Sequence, residues 1–353
     1  MIVNAPVWSR HRASARRLAV VNVVSAGGES GGAERFFAAL CRALSHEGEE
    51  VDRIDLPCDE STIDGILQGY ERFYDLDLNA YAGVISTKAP AYALRHPNHV
   101  CYLTHTMRSL YDMFAREHPS PEREMLRFRE TIHFLDALAL SPPRVRKLFV
   151  IGHTVRRRLL EYNALESQVL HLALDFPARR AGSFDYLFLP GRLHRWKRVD
   201  LVIDAMRSVD RPLAFHIAGA GEDESEFRAR ARGDPRIVFH GRVGDEELAR
   251  LYAGALAVAF VPANEDFGFV TLEAFASGKP VITCVDSGEP ADFVRQSGGG
   301  LVCDPTPQAL AREITSLFDH PERAREMGRK GAEFQRRFTW KDVAETLLAS
   351  LDG

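Results

Sequence analysis

Short apolar runs alternate with amphipathic stretches along the whole chain. Runs such as residues 18–24 (LAVVNVV) and 186–191 (YLFLPG) have the length of buried strands. Residues 33–48 instead repeat apolar positions every three to four residues, as a helix with one buried face does. This alternation is typical of parallel sheets covered by helices on both faces. The predicted fold class is therefore α/β.

The strands are predicted in two series with the same pattern. The first series comprises residues 18–24, 82–86, 99–105, 137–141 and 147–151, and the second comprises 186–191, 213–219, 236–241, 257–262 and 279–284. Two such series in 353 residues indicate two Rossmann-like, doubly wound domains facing each other across a cleft.

Between the two series the chain loses its periodicity, which marks a linker. We predict a flexible tail at 1–17, an N-terminal Rossmann-like domain at 18–172, a linker at 173–185, a C-terminal Rossmann-like domain at 186–338 and a final helix at 339–353. In doubly wound domains, ligands bind at the carboxyl ends of the strands.

Composition narrows the class of partner. The 45 basic and 49 acidic side chains are interspersed and give a net charge of −4, which argues against nucleic acid as a partner. Five scattered cysteines argue against a disulfide framework and favour the cytoplasm. The apolar run 18–24 is predicted to be a buried strand rather than a signal peptide, and peripheral attachment to a membrane is left open.

The strongest chemical signal lies in residues 257–283, AVAFVPANEDFGFVTLEAFASGKPVIT. The pattern predicts a strand, a polar turn with Gly268, a short helix ended by Gly278, and a second strand. Glu265 is expected at the end of the first strand and Glu273 in the first or second turn of the helix. Backbone N–H groups near Gly268 would favour a phosphate, and the two carboxylates would accept hydrogen bonds from sugar hydroxyls. For Glu273 taken alone, complementing the helix dipole is the favoured interpretation, and only the combination with the other motifs favours a sugar site.

A second signal is GRLHRWKR at 191–198, where Gly191 closes a strand and Arg192 and Lys197 follow. Only six of the 45 basic residues are lysines, so a lysine here indicates a specific choice. A guanidinium and an ammonium together could neutralise a diphosphate. The alternative is an exposed basic start of a helix.

Four motifs in a fixed order resemble the retaining glycosyltransferases of family four, which have the GT-B fold. They are GRLHRWKRVDLVIDA, HIAGAGEDE, IVFHGRVGDEELARLYAGA, and the two glutamates separated by seven residues. In the first half, GGAER is similar to the glycine loop of that family, and YLTHTMRSLYD is similar to its segment with a histidine at the cleft.

The resemblance implies a role for particular residues. Arg192 and Lys197 would hold the donor diphosphate, Glu273 the ribose hydroxyls, and Glu265 the transferred sugar. His105 would lie near the reacting carbon. The catalytic residues would then be His105, Glu265, Arg192 and Lys197. The resemblance assigns the remaining donor positions to Gly31, Gly32, Gly191, Gly241, Arg242, Val243, Asp266, Phe267, Gly268 and Phe269, and the acceptor side to Arg108, Tyr111 and Asp112.

The reaction implied by the resemblance transfers a hexosyl group, with retention, from a UDP- or GDP-linked sugar to a hydroxyl. The acceptor would be a carbohydrate, a glycolipid or a small molecule, with no cofactor and no metal ion. The helix at 339–353 would cross back to the first domain, as in similar proteins. One alternative is a catalytically silent nucleotide-sugar-binding protein. A nucleotide-cofactor oxidoreductase is a second alternative, although AGAGEDE lacks the third glycine of the dinucleotide fingerprint.

Two positions depart from the family pattern. Glu289, in DSGEP, stands where a second glycine is usual, and His153 stands where a serine is more usual. The triplet Asp75-Leu-Asp77 imitates a metal motif of another glycosyltransferase fold but is predicted to be a solvated loop. The arginine run 156–158 is predicted to lie on a solvated helix face.

Overall fold

The protein is described by a computed structural model that covers residues 16–25, 32–178 and 182–352. The chain divides into two compact units. Of the described residues, those within 1–103, 122–149 and 344–353 form the first unit, and those within 104–121 and 150–343 form the second. Each unit is built on its own parallel sheet.

The first unit is organised around strands in the order β2-β1-β3-β4-β5. The strands are β1 (Arg17–Ser25), β2 (Glu50–Cys58), β3 (Gly83–Ser86), β4 (His99–Leu103) and β5 (Lys147–Val150). The main helices of this unit are α1 (Gly32–His46), α2 (Ile63–Tyr74) and α4 (Arg123–Leu140). The short helix α3 (Phe114–Glu117), which precedes α4 in the chain, belongs to the second unit. Leu18, Val20, Val84 and Ile85 of the central strands are fully buried.

The second unit begins with α3, α5 (His153–Asn163) and the short strand β6 (Gln168–Val169). Six strands form its sheet: β7 (Tyr186–Pro190), β8 (Ala214–Ala218), β9 (Ile237–Gly241), β10 (Ala255–Ala259), β11 (Val281–Cys284) and β12 (Gly300–Cys303). Its other helices are α6 (Val199–Met206), α7 (Glu224–Arg230), α8 (Asp245–Gly254), α9 (Phe269–Ala276), α10 (Glu289–Ser297), α11 (Pro307–Asp319) and α12 (Pro321–Gln335). The last helix, α13, spans Trp340–Asp352, and its residues from Ala344 onward belong to the first unit.

The strand order of the second sheet creates a switch point. The order is β12-β11-β10-β7-β8-β9. From β7 the chain adds β8 and β9 towards one edge of the sheet, and from β10 it adds β11 and β12 towards the other edge. The loops that follow β7 and β10 therefore leave the same edge of the sheet side by side. Doubly wound sheets bind ligands at this position.

Most predicted strands are confirmed, but residues 137–141 are not a strand. They end α4, where Asp136 accepts hydrogen bonds from the hydroxyl groups of Tyr70 and Tyr92. Alanine and leucine favour a helix, so a short apolar run at the end of a helix was mistaken for a strand.

Besides the two-residue β6, two longer strands, β2 and β12, were not predicted. Both lie at the edges of their sheets. In β2 charged residues interrupt the apolar pattern, and β12 is a four-residue strand that follows a run of glycines. An edge strand has less buried surface, so its apolar signal is weaker.

The division into units differs from the predicted boundaries. Residues 104–121 and 150–172 were assigned to the first domain from sequence, whereas the structure groups them with the second unit. Ion pairs of Arg108 and Arg158, described below, hold both segments there. In the described part of the chain, no helix is both long and apolar enough to cross a bilayer.

Candidate functional site

Lys197 and Glu265 meet at the switch point of the second sheet. Lys197 follows β7 and Glu265 follows β10, and the Nζ atom of the lysine lies 2.7 Å from Oε2 of the glutamate. The two loops are also joined through their backbones, because the N–H of Ala263 donates to the carbonyl of Trp196 at 2.7 Å. Both charged side chains keep partial access to solvent. The pair is therefore available to a polar ligand.

Arg198 holds the loop that follows β10 in place. Its guanidinium donates to the carbonyl oxygens of Val261 and Pro262 and forms a bidentate pair with Asp286 at 2.7 and 2.8 Å. Arg198 itself has a left-handed backbone, with φ of 53°. The last residue of the GRLHRWKR motif thus positions Glu265, although sequence reasoning assigned it no role.

Arg108 holds the same loop from another side. Its Nη2 donates to the carbonyls of Ala263 and Asn264 at 2.7 and 2.9 Å, and its Nη1 lies 3.9 Å from Oε2 of Glu265. The guanidinium stacks over the ring of Trp196 at 4.9 Å from the centroid. Two cations, Lys197 and Arg108, therefore flank the Glu265 carboxylate. Arg108 was predicted on the acceptor side, and that role stays a prediction.

A buried ion-pair network lies beneath the loop. Arg158 pairs with Asp112 at 2.8 Å and with Asp266 at 2.5 Å, and the arginine side chain is 1% exposed. Burial alone would raise the pKa of Asp266, but the charges of Arg158 and Arg108 outweigh it and hold that pKa below its usual value. The prediction of a solvated face for residues 156–158 is therefore wrong for Arg158. Helical periodicity turns this one of the three arginines inward.

Helix α9 starts beside the loop. Gly268 caps it with φ of +76°, and a Cβ atom at this position would lie 2.6 Å from Cγ of Pro290. A side chain is thus excluded for both conformational and steric reasons. Helix α9 presents N–H groups of its first turn, which favour an anion. Phe267 is buried against Phe269 and Phe293, so the donor contact predicted for it would have to come from its backbone.

Glu273 lies in the second turn of α9. Its Oε2 accepts a hydrogen bond of 2.5 Å from the hydroxyl of Tyr252, which is fully buried. Burial, with the nearby Glu273 carboxylate, raises the pKa of Tyr252 well above its usual value. The tyrosine therefore remains a donor that orients the glutamate. Sequence reasoning missed Tyr252, whose only signal was its place on the apolar face of α8.

Arg192 is paired differently from Lys197. Its guanidinium forms an exposed ion pair with Glu222, in the loop after β8. The predicted joint contact of Arg192 and Lys197 with a diphosphate stays a prediction. An exposed pair of this kind contributes little to stability, so a ligand could displace Glu222 easily.

The other predicted site residues are distributed around this centre. His105 is half-buried, with Nδ1 3.0 Å from the carbonyl of Thr106, while Tyr111 is buried against Tyr162. Gly241 ends β9 with φ of +67° and is followed by Arg242 and Val243. Gly32 begins α1 in the first unit, after β1. Gly31 lies outside the described residues.

The two departures from the family pattern contact each other. Glu289 is fully buried at the start of α10, and its Oε1 lies 3.1 Å from Nδ1 of His153 and 3.0 Å from Nε2 of His171. Burial opposes ionisation of Glu289, but hydrogen bonds from both histidines and from the N–H of Thr154 lower its pKa below the usual value. The negative charge expected near a phosphate is thus directed inward. The triplet of Asp75 and Asp77 lies in the loop that follows α2, as predicted.

Glycines keep the loops after β7 and β8 in close contact. Gly219 has φ of +140°, and a Cβ atom there would lie 1.8 Å from the carbonyl oxygen of Gly191. At Gly221 a Cβ atom would lie 2.3 Å from the carbonyl oxygen of Leu193. Both glycines of the AGAG motif therefore support the GRLHRWKR loop.

Gly219→Ala is expected to destabilise the protein and disturb the Lys197 loop. Its left-handed backbone alone costs about 1–3 kcal/mol for a residue with a side chain, and the backbone clash adds to this loss. Gly233→Ala is the matched control, because Gly233 also has positive φ, +89°, but a Cβ atom there would have no neighbour within 4 Å among the described residues. Denaturant unfolding of both variants measures the difference. Equal losses would show that the contact with Gly191 has no energetic effect.

Solved structures with the same architecture define the class of fold. Sucrose-phosphate synthase from Thermosynechococcus elongatus aligns with a TM-score of 0.76 at 18% identity, over 95% of this chain and 98% of its own. HepE of Anabaena, in complex with UDP and glucose, aligns with a TM-score of 0.70 at 15% identity, over 96% and 99% of the two chains. The fold is that of the GT-B glycosyltransferases, which confirms the predicted fold class.

The sequence of the second unit defines the family. Residues 175–334 match the family described as glycosyl transferases group 1, so the chain contains a glycosyl transferases group 1 domain. The resemblance inferred from the four motifs is confirmed for this domain.

Curated relatives are similar over the same region. D-inositol 3-phosphate glycosyltransferase of Segniliparus rotundus is 41% identical over 170 residues, which are 45% of this chain and 38% of the relative. D-rhamnosyltransferase WbpZ of Pseudomonas aeruginosa is 32% identical over 171 residues, or 47% and 44% of the two chains. The match thus spans about two fifths of the length of these relatives.

Proposed function

We propose that the protein is a retaining glycosyltransferase that moves a hexosyl group from a nucleotide diphosphate sugar to an acceptor hydroxyl. The observation that carries the proposal is the contact between Lys197 and Glu265 at the switch point of a glycosyl transferases group 1 domain. In this proposal Lys197 is the cation for the leaving diphosphate, and the adjacent Glu265 is the carboxylate for the sugar. The family match favours this function over an oxidoreductase.

The proposed reaction exchanges one bond at the anomeric carbon. The bond from this carbon to the diphosphate oxygen breaks, and a bond to the acceptor oxygen forms on the same face of the sugar. The acceptor proton passes to the leaving diphosphate, so no protein base is required. Lys197 and the N–H groups at the start of α9 would stabilise the charge that develops on the diphosphate. Glu265 would orient the sugar through its hydroxyl groups rather than attack it.

The donor is proposed to be linked to UDP or GDP. UDP-glucose is the first to test, because HepE, which shares the fold, is described in complex with UDP and glucose and with UDP-glucose. Glu273, oriented by Tyr252, would accept hydrogen bonds from the ribose hydroxyls. No cofactor is proposed, and catalysis is proposed not to require Mg²⁺ or Mn²⁺, since protein cations meet the diphosphate charge.

The acceptor is proposed to be a carbohydrate, a glycolipid or a small molecule with a free hydroxyl. Several similar proteins are named for phosphorylated products or acceptors, among them mannosylfructose-phosphate synthase of Agrobacterium fabrum. Sugar phosphates and inositol phosphates therefore belong in the first acceptor panel, beside neutral sugars and lipid-linked glycans.

The deciding experiment combines donor binding with product analysis. Thermal-shift screening against UDP, GDP and their hexose conjugates identifies the donor, because a bound ligand raises the apparent stability by mass action. The chosen donor is then incubated with the acceptor panel, and NMR reads the anomeric configuration of the product. Release of nucleotide at full rate without transfer would contradict a transferase. Donor binding without turnover on any acceptor would instead support a catalytically silent binding protein.

Glu273→Ala and Glu265→Ala are expected to separate binding from turnover. Loss of Glu273 removes a hydrogen-bond acceptor from the ribose in every state of the reaction, so KM should rise with little change in kcat. Loss of Glu265 should mainly lower kcat, because its contacts strengthen as the sugar departs. Steady-state kinetics with the identified donor measures both. Equal effects on KM and kcat in the two variants would contradict this division of roles.

A further inference from the structure

Three potential metal ligands converge below the loop that carries Glu265. They are His153 at the start of α5, His171 between β6 and β7, and Glu289 at the start of α10. The two histidine nitrogens lie 3.1 and 3.0 Å from the same carboxylate oxygen, and the three candidate ligand atoms lie within 4.8 Å of one another. These residues come from three separate parts of the sequence, so the fold assembles the cluster.

Burial makes this cluster different from a surface group of charges. Glu289 is 0% exposed, and its second oxygen already accepts the N–H of Thr154 at 3.1 Å. A carboxylate removed from water requires a compensating positive charge. The two imidazoles and the N–H of Thr154 hydrogen-bond this carboxylate, and a divalent cation bound to all three side chains would balance its charge directly.

The donor set and its spacing suit zinc. Two imidazole nitrogens and one carboxylate oxygen are a common set of three protein ligands for Zn²⁺, with water in the fourth position. Tetrahedral bonds of about 2.0–2.2 Å separate neighbouring ligand atoms by roughly 3.3 Å, close to the spacing of the two histidine nitrogens from Oε1. His153 is 41% exposed, which gives the ion and its water a route from solvent.

We propose that His153, His171 and Glu289 bind a divalent transition-metal ion, Zn²⁺ by their donor set, in a site separate from the sugar-transfer chemistry. The ion would stabilise the loop of Glu265, because the N–H of Glu289 donates to the carbonyl of Glu265 at 3.0 Å and Gly288 pairs with the same residue. The proposal accounts for both departures from the family pattern, since His153 and Glu289 are ligands of the same ion. It does not depend on the proposed function.

The test measures zinc directly on the full chain. Purified protein is treated with chelator, freed of it, and titrated with Zn²⁺ alone by calorimetry, and its metal content is then determined by mass spectrometry. One saturable zinc per chain and a higher melting temperature with zinc are expected. His153→Ala removes one ligand and should weaken the affinity for zinc by at least roughly 10–100-fold. That is the usual effect of removing a residue that only supports a metal ligand through a hydrogen bond.

His320→Ala is the matched control, because His320 also lies near a glutamate, Glu322, but at 3.6 Å on an exposed surface. It should bind zinc like the wild type. Glu289→Gln keeps the size of the buried side chain, removes its charge, and should no longer bind zinc. His153→Ala changes a half-exposed position, so this variant should fold and still show the weakened zinc affinity. Absence of saturable zinc binding would overturn the proposal. Undiminished binding by His153→Ala and Glu289→Gln would overturn it as well.

Discussion

Arg158→Ala is expected to destabilise the protein by about 3–5 kcal/mol, the usual cost of removing one partner from a buried ion pair. The substitution leaves Asp112 and Asp266 in a buried environment without the guanidinium that they share. Of their described ion-pair partners, only the guanidinium of Arg108, 3.8 Å from each carboxylate, would then remain to offset their burial. Urea unfolding followed by circular dichroism measures the loss.

Arg157→Ala is the control for this prediction. Arg157 is the preceding residue of α5, but its side chain is 59% exposed and lies 3.3 Å from Asp292. Its loss should change the stability by no more than about 0.5 kcal/mol. Similar losses in the two variants would show that the buried network does not stabilise the fold.

The effect of Arg158→Ala should depend on pH. In the wild type the pKa of Asp266 is lowered, so its contribution to stability is present above the ordinary carboxyl pKa of about 3.9 and is lost as the pH falls through the folded value. Without Arg158, burial is opposed mainly by Arg108, so we expect the pKa of Asp266 to rise and the variant to lose this part of its stability at neutral pH. The difference between the two proteins should therefore be large at pH 7 and shrink towards pH 4.

Lys197→Ala is expected to lower kcat by about 10²–10³-fold, the usual effect of removing one group that stabilises charge in a transition state. This prediction rests on the proposed transfer from a nucleotide diphosphate sugar. The lysine is the cation in contact with Glu265, and it would meet the negative charge as the diphosphate leaves. Steady-state kinetics with the identified donor measures the effect.

Arg195→Ala separates this role from a general loss of positive charge. Arg195 is two residues away in the same 3₁₀ helix, Arg195–Lys197, but its exposed guanidinium pairs with Glu117. It should leave kcat nearly unchanged. A rise in KM without a fall in kcat for Lys197→Ala would mean that the lysine binds the ground state and the transition state equally.

The sequence predicted the fold class and most of its strands because these depend on local patterns. Runs such as 18–24 and 186–191 are buried over most of their length, and their apolar composition expresses this directly. The strand at 50–58 was missed because an edge strand keeps charged residues, and residues 137–141 were misassigned because a four- or five-residue apolar run carries no period.

Local patterns also indicated the residues of the site one by one. Lys197 and Glu265 were recognised within motifs that each span fewer than about 30 residues, a length over which turns and caps can be inferred. Their contact required the strand order, which brings together loops 68 residues apart. The family resemblance assigned both residues to the donor site, but only the fold showed the 2.7 Å contact between them.

What the sequence determined by itself was the set of elements and the chemical types at the ends of strands β7 and β10. The tertiary structure decided which charges are partners. In the sequence Arg158 resembles its two exposed neighbours, and only the fold shows that it is buried between Asp112 and Asp266. Likewise, only the fold shows that Glu289 contacts His153, which lies 136 residues earlier in the chain. Periodicity reports burial over a few turns, whereas a Coulomb partner is set by distance in space, and that distance exists only after the sheet has formed.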